Sequence, residues 1–165
     1  MYAILKQNID RHIGQLVEKD MICTFFGHRD ASIKIESTLK SFLEEIIQKE
    51  KADIFYIGSQ GDFDFMAKRL LIQLKNKYPH IKIIIVLAYM PKMTDETNIR
   101  ECIETIYPDG LEYTPRRYAI DRRNRWLVEH SDLVITYVTR NFGGAAKFKA
   151  LAISKGKRVI EISEK

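Results

Sequence analysis

The chain has 165 residues, of which 45% are hydrophobic and 30% are charged, as is typical of one soluble domain with a sizeable core. No apolar stretch is long enough to span a bilayer and residues 1–20 lack the apolar core of a signal peptide, so we expect a single cytoplasmic domain over 1–165. The net charge of +5 permits contact with nucleic acid, whereas Cys23 and Cys102 lack metal-ligand spacing, and we predict neither zinc nor a disulfide.

Short β-type runs alternate with helical patterns, which favours an α/β, Rossmann-like three-layer fold with a mainly parallel sheet flanked by helices. An apolar stripe predicts an N-terminal helical extension within 1–20. Five apolar runs then predict buried strands, at 21–26, 53–57, 81–88, 133–138 and 158–162. Helical spacing predicts helices between them, including one within 91–115 that carries Ile99, Cys102, Ile103 and Ile106, and one over 118–130.

The loops that follow the strands are the candidate site, because ligands of parallel α/β sheets bind beyond the carboxyl ends of the strands. Gly27-His28-Arg29 follows the first strand, where glycine allows a tight turn and two side chains of potential positive charge face the crevice. His28 has two open roles, which are contact with a base and a hydrogen bond to the local backbone.

A second glycine-containing loop, Gly58-Ser59-Gln60-Gly61, leads into two acids at the start of a predicted helix, Asp62 and Asp64. Two accounts of these acids stay open. They serve as helix caps or first-turn charges, or they contact the ligand. Two acids at a helix start are insufficient for a metal site, so no metal is predicted.

The last glycine pair belongs to the run Gly143-Gly144-Ala145-Ala146-Lys147, which follows an apolar strand and opens a helix. That order places unpaired backbone N–H groups and the positive end of a helix dipole where a phosphate can sit. Lys147 lies where a cation costs roughly 0.3–1 kcal/mol unless an anion compensates it, the alternative being a flexible surface lysine. The pattern indicates a nucleotide ligand.

These loops, together with Arg123-Asn124-Arg125-Trp126 and Ser131-Asp132, jointly resemble the SLOG superfamily over about 21–162. That Rossmann-like group includes the Lonely Guy phosphoribohydrolases and the DNA-processing protein DprA, and the YoqJ-like bacterial branch looks closest. The resemblance implies a Rossmannoid fold whose glycine-rich loops hold a nucleotide or nucleotide-derived ligand.

The resemblance also implies a reaction, because Lonely Guy enzymes cleave the N-glycosidic bond of nucleoside monophosphates with an arginine and a glutamate. The family arginine falls on Arg123, but the glutamate position holds Ala150. Alanine cannot stabilise a cationic, oxocarbenium-like transition state, so hydrolysis requires a relocated acid, for which Asp64 and Asp62 are the candidates.

The sequence therefore predicts a sensor or carrier that binds a phosphorylated nucleotide-type ligand. The predicted contacts are Gly27, His28, Arg29, Gly58, Ser59, Gly61, Arg123, Gly143, Gly144, Ala145 and Lys147. The alternatives are a nucleotide N-glycosidase and, third, binding of single-stranded DNA by a basic cluster that contains Arg116, Arg117, Arg122, Arg123 and Arg125. Related folds often pair through helices, which makes a homodimer an expectation; no membrane partner is expected.

Overall fold

A computed structural model describes residues 19–90 and 103–164 of the protein. Within these ranges six strands form one sheet: β1 (Met21–Gly27), β2 (Ala52–Ile57), β3 (Lys82–Val86), β4 (Ile103–Ile106), β5 (Leu133–Tyr137) and β6 (Arg158–Glu161). The α-helices of the described ranges are α1 (Glu36–Glu50), α2 (Asp62–Lys77), α3 (Arg116–Glu129) and α4 (Gly144–Ser154), and short 3-10 helices span Ile33–Ile35 and Leu111–Tyr113.

The strands carry apolar residues on both faces because helices cover the sheet on both sides. In β1, Phe25 packs into a core cluster with α1 and α2, whereas its neighbour Phe26 packs into a second cluster with α3 and α4. Successive residues of a strand point to opposite faces, so an apolar run is buried on both. The predicted three-layer α/β architecture is confirmed.

The order of the strands, β4-β3-β2-β1-β5-β6, creates a crevice at one edge of the sheet. All neighbouring strands pair in parallel, and β1 lies between β2 and β5. The chain adds strands on one side of β1 as far as β4 and then returns to add β5 on the other side. The loops after β1 and β5 consequently diverge, which leaves an opening at their carboxyl ends.

The segment around Ile103 and Ile106 corrects the sequence prediction, since these residues form the edge strand β4 and not a helix. Ile103 pairs with Ile83 and Ile106 with Val86 of β3. A three-residue spacing of two isoleucines is ambiguous in so short a segment, and pairing with a neighbouring strand decided it. Residues 1–18, and with them the predicted helical extension, lie outside the described ranges, as do Ile99 and Cys102.

The remaining elements follow the sequence prediction closely. All five predicted strands are present, with bounds within a few residues of those expected. The helix expected at 118–130 begins at Arg116, directly after Pro115, which is a favourable residue before a first helical turn. None of the helices in 19–90 or 103–164 combines the length and the hydropathy that a membrane crossing requires.

Candidate functional site

A cavity of about 390 Å³ opens at the carboxyl edge of the sheet, between the loops that follow β1, β2 and β5 and the inner face of α3. Nine residues singled out from the sequence line it: Gly27, His28, Arg29, Gly58, Asp64, Arg123, Gly143, Gly144 and Ala145. They come from five separate segments of the chain. The topology brings them together because parallel strands deliver their following loops to one edge.

Four other candidates lie outside this cavity: Ser59, Gly61, Asp62 and Lys147. The ammonium group of Lys147 pairs with Asp121 of α3, so its charge is compensated within the protein. Asp62 is exposed, and its backbone N–H donates to the carbonyl of Arg29 at 2.9 Å. Ala150, where the resemblance expects a glutamate, is exposed and borders a separate groove with Lys149.

The largest fully buried side chain of the described residues is Arg123, which is 1% exposed. Its Nη1 donates to the carbonyl of Val86 at 2.8 Å, and its Nε donates to Oδ1 of Asn124 at 2.8 Å. Among the residues that the structure describes, no hydrogen bond is recorded for Nη2. Burial lowers the pKa of Arg123 and the nearby Asp64 opposes that shift, and the guanidinium stays charged because its pKa starts far above neutrality.

The carboxyl group of Asp64 is the second buried charge of the cavity, with the residue 8% exposed. Its Oδ2 accepts a hydrogen bond from the backbone N–H of Gln60 at 3.0 Å. Burial raises the pKa of Asp64 to about 6, against the opposing effects of the Gln60 bond and the Arg123 charge. Such a shift is common where a protein prepares a carboxyl group for a ligand or a reaction.

Gly58 allows these two charged groups to approach each other. A Cβ atom at position 58 would lie 2.6 Å from Oδ2 of Asp64 and 3.0 Å from Nη1 of Arg123. The contact with Asp64 is closer than real Cβ atoms make and the contact with Arg123 is unusually tight, so a side chain at this position would displace the Asp64 carboxyl group. Glycine is needed at this position for close approach and not for a special turn.

His28 bonds to backbone, but to the distant loop after β5 and not to the local backbone that the sequence suggested. Contact with a base stays a prediction. Nε2 of His28 accepts from the backbone N–H groups of Thr139 at 2.9 Å and Arg140 at 3.2 Å. A ring nitrogen that accepts hydrogen bonds is unprotonated, and burial followed by the charge of Arg140 lowers the pKa of His28. The imidazole thus ties the loop after β1 to the loop after β5, and its ring forms part of the cavity wall.

The start of α4 supplies backbone donors to the same cavity. Gly143 is the N-cap with φ of 88°, a conformation that favours glycine, and no side chain caps the helix. The first N–H groups of an uncapped helix lack partners within the helix, and the helix dipole makes this end attractive to anions. Arg29 lies across the opening with its side chain exposed, and within 19–90 and 103–164 no carboxylate is recorded in ion-pair contact with it.

Several lining residues were not among the candidate contacts predicted from the sequence. The polar ones are Gln60, Asn124 and Arg140, and the aromatic ones are Phe25, Phe26 and Phe142. Arg140 forms a forked ion pair with Asp30, at 2.6 and 3.2 Å, and its guanidinium lies 5.9 Å from the ring centre of Phe142. Phe142 is 68% exposed at the rim of the cavity. An exposed aromatic residue beside a glycine pair was the signal that could have identified it.

Two other sequence features lie away from the cavity. Asp132 lies at the amino edge of the sheet, where its backbone N–H donates to the carbonyl of Ile22 at 2.8 Å and its Oδ2 accepts from the Ile22 N–H at 3.0 Å. Cys23 is fully buried and free, and burial raises its pKa to about 12, so it is no nucleophile. Among the described residues there is no cluster of three or more His, Cys, Asp or Glu that could hold a metal ion.

The parallel sheet, the crevice at its switch point and the uncapped helix end define a Rossmann-like α/β protein. The YpsA family model, described as the YspA SLOG family, matches residues 19–162. The chain therefore belongs to this SLOG family, as the loop motifs predicted. No curated protein is similar enough to the chain to match it.

Solved structures that share the fold include two of DNA processing protein A (DprA). The protein from Streptococcus pneumoniae is 17% identical with a TM-score of 0.64, over 87% of this chain and 50% of that one. The protein from Helicobacter pylori, whose structure concerns its single-stranded DNA binding mode, is 16% identical with a TM-score of 0.62, over 92% of this chain and 69% of that one. This chain thus spans half the length of the Streptococcus pneumoniae protein.

Replacement of His28 tests its role as an acceptor for two backbone N–H groups. We expect His28→Ala to lower the free energy of unfolding by about 1–3 kcal/mol at pH 7.5, because the donors of Thr139 and Arg140 lose their partner. Since the folded state holds the imidazole neutral, the wild type loses stability as pH falls below the ordinary value of 6.5, and its advantage over the variant shrinks there. Urea denaturation at several pH values measures both effects.

The matched control is His80→Ala, since His80 is exposed and contacts Asp53 at 3.4 Å near the surface. His80→Ala should lower the free energy of unfolding by no more than about 1 kcal/mol. If His28→Ala were no more destabilising than His80→Ala, the hydrogen bonds of His28 would contribute little to the fold.

Neutralisation of Asp64 tests its desolvation. The folded state binds the Asp64 proton more tightly than the unfolded chain does, so stability falls as pH rises from 3.8 to about 6. We therefore expect the free energy of unfolding of Asp64→Asn to exceed that of the wild type by roughly 1–3 kcal/mol at pH 7.5. This difference should shrink towards pH 4. Thermal and urea denaturation across this range measure the difference.

The control is Asp62→Asn, which alters an exposed acid in the same helical turn. This variant should not raise the free energy of unfolding comparably at pH 7.5. Parallel pH profiles for the wild type and Asp64→Asn would contradict the assignment of a desolvated carboxyl group.

Proposed function

We propose that the cavity binds a nucleotide or nucleotide-derived phosphorylated ligand and that the protein acts as a sensor or carrier of it. The observation that carries this proposal is the convergence of the uncapped start of α4 and the buried Arg123 on one cavity. Backbone N–H groups attract a phosphate, and a buried guanidinium whose Nη2 has no hydrogen bond to the residues of 19–90 and 103–164 adds a second, fixed positive charge. A nine-tenths buried cation is costly to keep unless the site uses it.

The other parts of the cavity suit the rest of such a ligand. The exposed Arg29 can close over a phosphate at the opening, where a planar guanidinium binds two oxygens at once. The exposed ring of Phe142 at the rim offers a surface on which a base can stack. In this arrangement His28 shapes the wall without contributing charge, and Lys147 does not contact the ligand.

The first test is a thermal-shift screen against nucleoside mono-, di- and triphosphates, NAD, ADP-ribose and cyclic dinucleotides, followed by titration of each stabilising compound. We expect Arg29→Gln to weaken binding by roughly 10-fold, because it removes a charge-assisted contact from an exposed residue. Arg117→Gln is the matched control, since Arg117 is exposed on α3 and does not line the cavity. The absence of a shift with every compound would refute the proposal.

The enzyme alternative depends on Asp64, because Asp64 lines the cavity whereas Asp62 does not. A carboxylate near the sugar could stabilise an oxocarbenium-like transition state in place of the glutamate that Ala150 replaces. Mass analysis of each thermal-shift mixture for released base decides between a carrier and an N-glycosidase. Base release by the wild type and none by Asp64→Asn would make the protein an enzyme.

A second candidate function, binding of single-stranded DNA, is favoured by two observations. The Helicobacter pylori relative was solved for its single-stranded DNA binding mode. The structure also shows two arginine–aromatic contacts. Arg116 lies 4.8 Å from the ring centre of Tyr89, which is distant in sequence, and Arg117 lies 4.7 Å from that of its neighbour Tyr118. Arginine–aromatic surfaces suit stacked bases and phosphates.

The DNA alternative predicts salt-dependent binding that depends on α3. We expect the double variant Arg117→Gln/Arg122→Gln to weaken binding of oligothymidylate and to lower the slope of log affinity against log salt by about 0.7 for each lost phosphate contact. Fluorescence anisotropy between about 50 and 200 mM salt measures the slope. The control is Lys40→Gln, since Lys40 is an exposed residue of α1. Binding that is absent at low salt, or equal in both variants, would exclude this function.

A further inference from the structure

The carboxyl group of Asp64 has more capacity to accept hydrogen bonds than the protein uses. A carboxylate has about four acceptor positions, and the bond from Gln60 to Oδ2 is the one hydrogen bond to Asp64 recorded among the described residues. No ion pair within 4.0 Å joins Asp64 to Arg123 or to another cation of 19–90 or 103–164, although the two flank Gly58. An acceptor that is nine-tenths buried and lines the cavity thus awaits a donor.

The position of Asp64 restricts what the donor can be. The phosphate group of a nucleotide is mostly deprotonated at neutral pH, so it is a poor donor to Asp64, and its charge is repelled by an ionised carboxylate. A ligand that satisfies the whole cavity must therefore carry an anionic group for the start of α4 and, a short distance away, neutral hydroxyl or amino donors for Asp64. Hydroxyl groups donate short, strong hydrogen bonds to carboxylates.

We infer that Asp64 binds the ribose hydroxyls of the ligand, so that the site selects ribonucleotides over 2′- or 3′-deoxynucleotides and over inorganic phosphate. This inference rests on the proposed function and names the sugar that the site takes. The sugar connects the phosphate to the base, so a ligand whose phosphate lies at the start of α4 carries its sugar into the cavity that Asp64 lines. Gly58 deepens the cavity beside Asp64 because it leaves out a side chain there.

Gln60 is the residue that positions the carboxylate. Its N–H holds Oδ2, which leaves Oδ1 and the remaining lone pairs for the ligand. The bond is made by the backbone, so it does not depend on the identity of the side chain at position 60. Vicinal hydroxyls can then donate to the two oxygens of one carboxylate, an arrangement that a deoxy sugar cannot complete.

The test compares ligands on the wild-type protein, so that it does not depend on any variant folding. The probes are the 5′-monophosphates of adenosine, cytidine, guanosine and uridine with their 2′-deoxy and 3′-deoxy counterparts, and ribose 5-phosphate with 2-deoxyribose 5-phosphate. We expect the best ribonucleotide to bind at least roughly 10-fold more tightly than one of its deoxy counterparts, and inorganic phosphate to bind far more weakly. Calorimetric titration supplies the affinities.

Asp64→Asn identifies the residue that discriminates. The amide keeps the shape of the side chain and loses one acceptor and the charge, so the ratio of ribo to deoxy affinities should fall towards 1. Asp62→Asn, in the same helical turn but outside the cavity, should leave the ratio unchanged. A ratio that survives in Asp64→Asn would overturn the assignment.

The outcomes separate this inference from the proposed function. Equal affinities for ribo and deoxy ligands, with nucleotide binding intact, would overturn the selection for ribose and leave the nucleotide site standing. Base-dependent binding with no ribose dependence would assign Asp64 to the base and also overturn it. No binding of any probe would overturn both.

Discussion

The parallel hydrogen bonds between β1 and β5 join two strands that are distant in the sequence, and the candidate site depends on that pairing. The register places Gly27 opposite Tyr137, so the two strands end at the same level. His28 then follows β1 and accepts from two N–H groups that follow β5. Because a parallel pair delivers both loops to one edge, the start of α4 comes to face the loop after β1.

Two opposite charges are buried beside this junction without forming a close ion pair, and that separation gives the cavity its chemistry. Arg123 donates one hydrogen bond to Val86 and one to Asn124, whereas Asp64 accepts one from the backbone N–H of Gln60. Both groups line the cavity, and neither has its full set of hydrogen-bond partners among the described residues. Burial of incompletely paired charges lowers stability, and such a cost is usual where a site is prepared for a ligand.

Likeness to the DprA structures shows the fold of this protein and not what the fold is used for. The DprA structures share the Rossmann-like core at 16% and 17% identity, which establishes the architecture and leaves the site to be judged from this chain's own residues. Our nucleotide proposal rests on the cavity, and the DNA alternative rests on the arginine–aromatic contacts of Arg116 and Arg117. The cavity and these arginine–aromatic contacts both lie on loops and helices that follow the carboxyl ends of the strands.

The sequence by itself determined the α/β class, the buried strands and the loops that form the site, because periodicity and glycine-rich turns are local signals. The tertiary structure decided how those loops combine. Ile103 and Ile106 form a strand because they pair with β3, and Lys147 forms an ion pair with Asp121. Asp64 lines the cavity, whereas Asp62 is exposed to solvent. Charge partners, burial and pKa depend on neighbours from distant segments, and no local pattern of residues encodes them.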